Sequence, residues 1–321
     1  MKLFLSLDWG TSSFRIRLIE TDLEQIKILH ELNNSLGVSS IQQSWNHSKE
    51  KIPRLEFFIN SLNGPLKTIK GQSGMAIDGI PLVISGMASS SIGMYELPYS
   101  PLPLDLIGGN LSHRIFNVPG FPHPIVLISG VSDDHDVMRG EETQLLGCHD
   151  AKMKKDSVYI FPGTHSKHIH VRDGKAIGFK TYMTGELFHL LTEHSILRDN
   201  VEKSEILSRK EFISGMLHAR SNEFLGSLFT VRTNIILDGM DKGDNYSFLS
   251  GLLIGHEILE LVKNDYHIYL CPNKRLSENY TLALEVTSLL DRATILSHET
   301  VDRAVVRGQL SILINSVVNW K

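Results

Sequence analysis

The chain has 321 residues, of which 41% are hydrophobic and 21% charged, the composition of an ordinary globular protein. A prior of about 150 residues per domain predicts two domains, and the net charge of −4 argues against a nucleic-acid-binding surface. No apolar run approaches the roughly 18 residues of a membrane span. The two cysteines cannot form a disulfide framework and suggest a reducing compartment, so we expect a cytoplasmic protein.

The first stretch, residues 3–20, alternates apolar and polar positions on both sides of a Gly-Thr-Ser-Ser segment at 10–13. This period of two predicts a β-hairpin, whose turn can offer backbone N–H groups and hydroxyls to phosphate oxygens. Asp8 lies just before the turn, where one carboxylate suits a hydrated Mg²⁺. Alone, the pattern is also that of a simple structural turn.

A second hairpin with the same Gly-Thr-x-Ser turn is predicted near the middle of the chain. It begins at Gly163, 153 positions after Gly10 (163 − 10 = 153), an offset close to half of the chain. The repetition predicts two related halves that present their turns to a shared cleft. Phe161 stands at the position of Asp8, and Lys167 adds a cation after the second turn. We therefore expect one half to hold the metal and the other to add charge at the phosphates.

Other elements follow from local patterns. The first half is expected to add a third strand at 24–31, a polar loop at 33–47, buried strands at 81–84 and 124–129, and a helix or its approach at 136–147. The second half is expected to contain helices at 184–197 (with Thr184 as N-cap), 202–229, 248–262, 276–284 and 301–318, and a strand at 266–270. Strands that alternate with helices predict an α/β fold.

The densest polar cluster comprises Asp136, Arg139, Glu141 and Glu142, at the predicted domain junction. Phosphoryl transfer to an alcohol needs a carboxylate near the attacking hydroxyl, and Asp136 is the predicted general base with Glu141 in reserve. Arg139 could hold a carboxylate or a phosphate bidentately. A solvated acidic helix start, whose carboxylates complement the helix dipole, is the structural alternative.

Further candidates have equally plain structural alternatives. The small residues at 85–91 could hold a carboxylate through backbone N–H groups, or simply form a packed crossover. Glu186 could contact a ligand or complement a helix dipole. The histidines at 165, 168 and 170 have no acidic or cysteine partner near them in sequence, so a zinc site is not favoured.

Together these segments resemble the 2-dehydro-3-deoxygalactonokinase family of the sugar kinase, Hsp70 and actin superfamily. The motifs are LDWGTSSFR at 7–15, DVMRGEETQLLG at 136–147, FPGTHSKHIHV at 161–171, MTGELFHLLTEHSIL at 183–197 and SGLLIGHEI at 250–258. The resemblance implies two RNase H-like (actin-like ATPase) domains, at 1–140 and 141–321, with mixed five-stranded sheets flanked by helices and an active site in the interdomain cleft. The last helix could pack back on the first domain.

The implied activity is ATP- and Mg²⁺-dependent phosphorylation of the 6-hydroxyl of 2-dehydro-3-deoxy-D-galactonate or a similar sugar acid. The predicted cofactor residues are Asp8, Gly10, Thr11, Ser12, Gly163, Thr164, Ser166 and Lys167, with Asp8 as the metal ligand. The predicted catalytic residues are Asp136, Arg139 and Glu141, and the substrate residues are Ser85, Gly86, Met87, Ser89, Tyr99 and Glu186. The expected partner is the sugar acid, without nucleic acid or membrane, and a homodimer is left open.

Two places depart from the family pattern. Ser91 and Met94 stand where the family usually carries an arginine and then a tryptophan, and residues 271–273 (Cys-Pro-Asn) stand where the superfamily's adenosine motif favours glycines. The segment RGEETQLL also resembles the exopolyphosphatase and pppGpp phosphohydrolase branch, which makes a phosphohydrolase with Glu141 as base the alternative enzyme. A non-enzymatic nucleotide-binding regulator or filament protein is the third hypothesis.

Overall fold

The computed structural model describes residues 1–49, 52–107, 110–150, 152–221 and 223–316. The strands are β1 (Lys2–Trp9), β2 (Phe14–Thr21), β3 (Ile26–Asn34), β4 (Leu82–Gly86), β5 (Ser100–Pro101), β6 (Leu104–Asp105), β7 (His113–Phe116), β8 (Ile125–Ile128), β9 (Val131–Ser132), β10 (Val137–Met138), β11 (Asp156–Phe161), β12 (Ser166–Arg172), β13 (Lys175–Tyr182), β14 (His267–Leu270) and β15 (Ala293–Ile295). The helices are α1 (Val38–His47), α2 (Arg54–Ser73), α3 (Glu141–Cys148), α4 (Thr184–His194), α5 (Arg209–Ser221), α6 (Phe224–Leu228), α7 (Thr230–Asp238), α8 (Lys242–Ile258), α9 (Ser277–Val286) and α10 (His298–Asn315). Among these helices, none is long and apolar enough to cross a membrane.

The chain divides into two compact units. The first comprises residues 1–153, 174–178 and those from Asp302 onwards, and the second comprises 154–173 and 179–301. In this division α3 and most of α10 belong to the first unit. The domain boundary expected between residues 140 and 141 stays a prediction.

The first unit is built on a sheet with the strand order β3-β2-β1-β4-β8-β7. β1 pairs antiparallel with β2 and parallel with β4, and β4 pairs parallel with β8. Its first five strands have the order of the predicted RNase H-like fold, and β7 adds an antiparallel edge strand to the five that were expected. The predicted α/β class is therefore confirmed, with one more strand in this sheet.

The centre of that sheet is buried on both faces. Four consecutive residues of β1, at positions 4–7, are all buried, because helices and loops cover both sides of the strand. On one face Trp9 contacts Phe14 and Phe58 edge-on, at ring-centroid distances of 5.4 and 5.5 Å. Its indole Nε1–H donates to the carbonyl of Leu36, so this large side chain fills the core without an unsatisfied donor.

The second unit repeats the plan. Its sheet has six strands rather than the predicted five, because β6 pairs antiparallel with β13 at one edge. The other five strands lie in the order β13-β12-β11-β14-β15, with β11 antiparallel to β12 and parallel to β14, and β14 parallel to β15. This is the order of β3-β2-β1-β4-β8 in the first unit. The duplication predicted from the two Gly-Thr-x-Ser turns is thus present in the topology of the sheets.

Helix α10 returns to the first unit and packs closely against α3. A Cβ atom added at Gly147 would lie 1.8 Å from the carbonyl oxygen of Ala304, and one at Gly308 would lie 2.0 Å from that of Thr143. Such distances require a glycine on each helix at the point of contact. Farther along α10, the side-chain amide of Gln309 donates to Leu7 O and to Ser85 Oγ, both at 2.9 Å. Helix α10, the last described helix, therefore helps to hold the first sheet together.

This packing predicts opposite effects for two glycine substitutions. We expect Gly147→Ala to lower the free energy of unfolding by about 1–3 kcal/mol, because the new methyl group overlaps a backbone carbonyl. Gly71→Ala, in α2 with open space around the position, should raise it by about 0.5–1 kcal/mol through helix propensity. Urea unfolding of both variants measures the difference, and equal stabilities would contradict the α3–α10 contact.

Candidate active site

The first turn is held from behind by the beginning of α1. The backbone N–H groups of Val38 and Ser39 donate to the carbonyls of Gly10 and Thr11, at 2.9 and 3.0 Å. Because a trans peptide is planar with its C=O and N–H on opposite sides, the N–H groups of Thr11 and Ser12 are directed away from the helix. The side chains of Thr11 and Ser12 are exposed. The turn therefore has N–H and hydroxyl donors on its outer side, and their contact with phosphate stays a prediction.

A glycine makes this contact possible. A Cβ atom added at Gly37 would lie 2.3 Å from the carbonyl oxygen of Thr11 and 2.4 Å from Cα of Ser12. The loop expected at 33–47 is wrong, since β3 extends to Asn34 and α1 covers Val38–His47. Sequence reasoning failed here because the helix is polar and serine-rich, and docking on the turn stabilises it more than its own propensity does.

Asp8 stands at the carboxyl end of β1, where two parallel strands end together. It lies opposite Ser85 in the β1–β4 register, and Trp9 lies opposite Gly86. Gly86 has φ of +89°, and a Cβ atom added there would lie 2.7 Å from the carbonyl oxygen of Trp9. The structure thus brings together Asp8 with two of the predicted substrate residues, Ser85 and Gly86. Met87 follows in a single 3₁₀ turn, Met87–Ser89.

The electrostatic surroundings of Asp8 fit a cation. Burial raises the pKa of the Asp8 carboxyl above its ordinary value. The guanidinium groups of Arg15 and Arg17 oppose that rise, whereas Glu141 and Asp302 add negative charge and increase it. Within the described ranges no donor hydrogen-bonds to this carboxylate. A carboxylate that is desolvated and without a hydrogen-bond donor suits Mg²⁺, which takes one or two protein oxygens and keeps its other waters.

An ion-pair network next to Asp8 connects α10 to the hairpin. The carboxylate of Asp302 accepts hydrogen bonds from Arg15 Nη1 and Arg17 Nη2, both at 2.6 Å. Arg17 is only 2% exposed, and its Nε also donates to Glu31 Oε2 at 2.5 Å. Burial alone would favour neutral Glu31, but the hydrogen bonds from Arg17 and Asn33 lower its pKa below the usual value. Arg17 is therefore positioned by two acids, Glu31 and Asp302, and Arg15 by Asp302 and the amide oxygen of Asn33.

Arg139 lies among the predicted substrate residues. Its Nη1 donates to the carbonyl and hydroxyl oxygens of Ser89, at 2.8 and 2.5 Å, and its guanidinium lies 4.2 Å from the ring centroid of Tyr99. Its Nε–H is buried without a partner in the part of the chain that the structure describes. The structure thus joins Arg139, Ser89 and Tyr99 in one cluster, with a donor to spare.

Asp136 lies in a hairpin turn rather than at the start of a helix. The carboxylate of Asp133 accepts from the backbone N–H groups of His135 and Asp136, both at 2.7 Å, which closes a turn between β9 and β10. Helix α3 begins later, at Glu141, so residues 136–140 form the approach to a helix, which is one of the two predictions made for 136–147. The Asx turn at Asp133 keeps residues 133–136 out of the helix. The carboxylate of Glu141 accepts from the backbone N–H of Arg139, at 3.3 Å.

Glu142 is the buried acid of this segment. It is fully buried, and its carboxylate accepts from the backbone N–H of Gly140 at 2.7 Å and from the hydroxyl of Thr143 at 3.0 Å. Burial, with the charge of Glu141 as a second cause, raises the pKa of Glu142 to about 7. Gly140 has φ of +115° and lies against Gly86, with 3.7 Å between an added Cβ and Cα of Gly86. Glu142 therefore holds the loop that faces the end of β4.

The second turn has the same support as the first. The backbone N–H of Glu186, in the first turn of α4, donates to the carbonyl of Thr164 at 3.0 Å. A Cβ atom added at Gly185 would lie 2.5 Å from the carbonyl oxygen of Gly163, as at Gly37 in the first unit. The N–H of His165 is consequently directed away from α4. The side-chain Nε2 of His165 is also hydrogen-bonded to the carboxylate of Glu186.

The register of the second hairpin changes the position equivalent to Asp8. Trp9 pairs with Phe14, which leaves four residues in the first turn, whereas Phe161 pairs with Lys167 and leaves five. Phe161 therefore corresponds to Trp9. The counterpart of Asp8 is Ile160, so the prediction that Phe161 replaces it is wrong by one residue. A carboxylate is absent from either position of the second strand.

Glu257 is the functional candidate that sequence reasoning missed. This buried acid on α8 accepts hydrogen bonds from Ser166 (2.7 Å), from His168 Nε2 (2.9 Å), from Tyr280 (2.8 Å) and from the hydroxyl of Thr184. Burial would raise its pKa, but these hydrogen bonds, led by that of His168, lower it below the usual value. Glu257 thus joins four elements behind the second turn.

Two predictions change in consequence. Thr184 is the first residue of α4 and bonds to Glu257, while Met183 occupies the N-cap position, so the predicted capping role of Thr184 is wrong. Ser166 is fully buried and donates to Glu257. Its contact with phosphate stays a prediction, and so does that of Lys167, which is 5% exposed.

A cavity of about 880 Å³ opens beside the second turn, within the second unit. Gly163, Thr164, Gly185 and Glu186 line one side of it. Apolar side chains, hydrogen-bonding groups and cations line the rest, including Tyr246, Leu253, Ile254, Asn279, Lys203 and Arg275. The volume lies in the range of small-molecule sites. No group of three or more potential metal ligands occurs among the described residues, so the histidines at 165, 168 and 170 form no such cluster there.

The missed residues carry weak signals in sequence. Gly37 and Gly185 each precede or open a helix after a Gly-Thr-x-Ser turn, at different distances from it, so the offset of 153 does not reveal them. Glu257 lies three and four residues after Ile254 and Leu253, on the apolar side of its helix. An acid on the apolar side of a helical pattern is the one observation that could have identified it.

Comparison with known proteins identifies relatives of the whole chain. The family model described as 2-keto-3-deoxy-galactonokinase matches residues 8–312. A 2-dehydro-3-deoxygalactonokinase of Escherichia coli (strain K12) is 32% identical over 291 residues, or 88% of this chain and 89% of that protein. A probable 2-dehydro-3-deoxygalactonokinase of Rhizobium meliloti (strain 1021) is 31% identical over 79% of each. A crystal structure from Sinorhizobium meliloti, of a protein provisionally given the same name, has a TM-score of 0.80 at 30% identity, and covers 99% of this chain and 98% of its own.

The raised pKa of Glu142 predicts a pH dependence of stability. Its carboxyl has an ordinary pKa of 4.5 when unfolded and about 7 when folded, so the folded state loses stability as the pH rises from about 5 to 7, by about 3 kcal/mol at most. In Glu142→Gln this loss should shrink. Urea unfolding at pH 5 and pH 8 checks it, with the exposed acid Glu56, changed to Gln, as control. An unchanged pH dependence in Glu142→Gln would contradict the assignment.

The Glu257 network predicts a large effect of a small change. Glu257→Gln places an amide N–H₂ against donors that need an acceptor, and we expect the free energy of unfolding to fall by about 2–4 kcal/mol. The matched control is Glu260→Gln, since Glu260 is half exposed, binds Lys180 and Tyr182, and should cost under about 1 kcal/mol. Thermal and urea unfolding measure both, and similar losses would argue against a special role of Glu257.

Proposed function

The chain belongs to the 2-keto-3-deoxy-galactonokinase family, and from that premise we propose that it is an ATP-dependent sugar-acid kinase. The substrate is 2-dehydro-3-deoxy-D-galactonate or a close relative, phosphorylated on its 6-hydroxyl. Family membership supports a kinase over the phosphohydrolase alternative. The structural observation that carries the proposal is the backbone of the two turns, which directs N–H groups away from the supporting helices in both units.

Each unit contributes different groups in this proposal. In the second unit, the cavity takes the nucleoside of ATP, and the turn at 163–165 donates to its phosphates. In the first unit, the turn at 10–13 donates to phosphate oxygens and Asp8 would hold Mg²⁺, which supplies neutralisation of phosphate charge when bound. Cys148 and Cys271 are buried thiols that form no disulfide, which is consistent with our proposal of a cytoplasmic protein.

Chemistry at the acceptor needs one carboxylate. We propose that Asp136 accepts the proton of the 6-hydroxyl while its oxygen forms a bond to the γ-phosphorus and the bond to the bridging oxygen breaks, which releases ADP. Glu141 is the second candidate, because it lies in the same segment and within electrostatic range of Asp8. Arg139, Ser85, Gly86 and the neighbouring loop are proposed to contact the sugar acid.

The activity is tested by incubating the purified protein with Mg²⁺, ATP and a panel of 2-keto-3-deoxy sugar acids while ADP release is followed. Turnover of at least one acid, absent without the acceptor, is the expected result. GTP in place of ATP tests the nucleotide preference. Release of phosphate from polyphosphate without any acceptor, together with no turnover of sugar acids, would overturn the kinase in favour of the phosphohydrolase.

The base is identified by two matched variants. We expect Asp136→Asn to lower kcat by about 10²- to 10⁴-fold, the usual contribution of a general base, with the KM for ATP unchanged. Glu141→Gln should retain most of the activity. The reverse order would transfer the role to Glu141, and normal turnover in Asp136→Asn would exclude Asp136. Steady-state kinetics with saturating ATP measure both.

A further inference from the structure

The loop at 85–93 has most of its carbonyl oxygens occupied. Met87 O accepts from the backbone N–H of Ser90, Ala88 O from Tyr95, and Ser89 O from Leu97. Ser90 O accepts from Gly93, and Ser91 O accepts from the guanidinium of Arg54 at 2.6 Å. These carbonyl oxygens are already hydrogen-bonded within the protein, so they do not place unpaired acceptors against an anionic ligand.

Two guanidinium groups reach this loop from distant parts of the chain. Arg54 is the first residue of α2, and its Nη1 donates to Ser91 O. Arg139 follows the loop in the sequence and donates to Ser89, two residues before Ser91. In the described part of the chain neither arginine has an acidic side chain within 4.0 Å, in contrast to Arg15 and Arg17.

Positive charge without a counter-ion is the second observation. A guanidinium carries five N–H donors, and Arg54 uses Nη1 on Ser91, with no partner for Nε or Nη2 among the residues that the structure describes. Arg139 has its Nε–H buried without a partner. A buried donor without a partner costs free energy, so its retention near a second cation that has no acidic partner among the described residues indicates an anionic ligand. A planar carboxylate matches the two parallel donors of such a fork.

We infer that the loop at 85–91, with Arg54 and Arg139, is the subsite for the carboxylate of the sugar acid, and that Arg54 determines specificity for acids over neutral sugars. The inference rests on the proposed function, because it assigns one end of the proposed substrate. It gives Arg139 the carboxylate rather than phosphate. The backbone carbonyl of Ser91 positions the guanidinium of Arg54.

Arg54→Gln is the decisive variant, with 2-dehydro-3-deoxy-D-galactonate and the matching 3-deoxy sugar that carries an alcohol in place of the carboxylate. We expect the KM for the acid to rise about tenfold to a hundredfold, the loss of one charge-assisted hydrogen bond. The KM for the neutral sugar and for ATP should stay the same. Arg54→Lys keeps the charge without the fork and should lie between.

Arg114→Gln is the control, since Arg114 lies 4.5 Å over the ring of Tyr95 in the same unit and is exposed. Its KM for the acid should match that of the unchanged protein. An equal rise for acid and neutral sugar in Arg54→Gln, no rise at all, or the same rise in Arg114→Gln would overturn the inference. Melting temperatures of all variants establish that they are folded.

Calorimetric titration with the sugar acid alone separates this inference from the proposed function. If the unchanged protein binds the acid but does not phosphorylate it, the kinase proposal fails while the comparison of Arg54→Gln with Arg114→Gln still decides the subsite. If both variants bind the acid as tightly as the unchanged protein does, the subsite is wrong even where turnover is normal.

Discussion

One constraint recurs in both units: a planar peptide whose C=O accepts from a helix N–H must direct its own N–H the other way. In the first unit, α1 binds the carbonyls of Gly10 and Thr11, and in the second α4 binds that of Thr164. The glycines at 37 and 185 permit the close approach. The outward direction of the turn N–H groups therefore depends on the helices behind them as much as on the turn residues.

The sequence was informative where structure is local. Alternation around Gly10 and around Gly163 predicts both hairpins, and their offset predicts the duplicated sheet, because strand period and turn chemistry are short-range. The sequence was uninformative where contacts between distant segments determine the structure. Glu257 lies 91 positions from Ser166, and α1 is polar, so neither is visible in a local pattern. The predicted alignment of the two hairpins was wrong by one residue, because the second turn contains an extra residue, Pro162, outside the Gly-Thr-x-Ser motif.

The two halves have kept the same frame and different chemistry. The first turn exposes its hydroxyls and has Asp8 beside it, in a balanced set of acids and arginines. The second buries Ser166 against Glu257 and has an apolar residue, Ile160, at the position of the acid. The same topology thus carries an exposed turn beside charged side chains in the first unit, and a buried hydrogen-bond network behind the turn in the second.

The return of α10 to the first unit has a consequence for biosynthesis. Gln309 bonds to β1 and β4, and Asp302 neutralises two arginines of β2, yet both are synthesised only after residues 154–301, which contain the second unit. The first sheet therefore lacks these contacts while the second unit is translated, and the nascent N-terminal segment has to remain soluble during that interval.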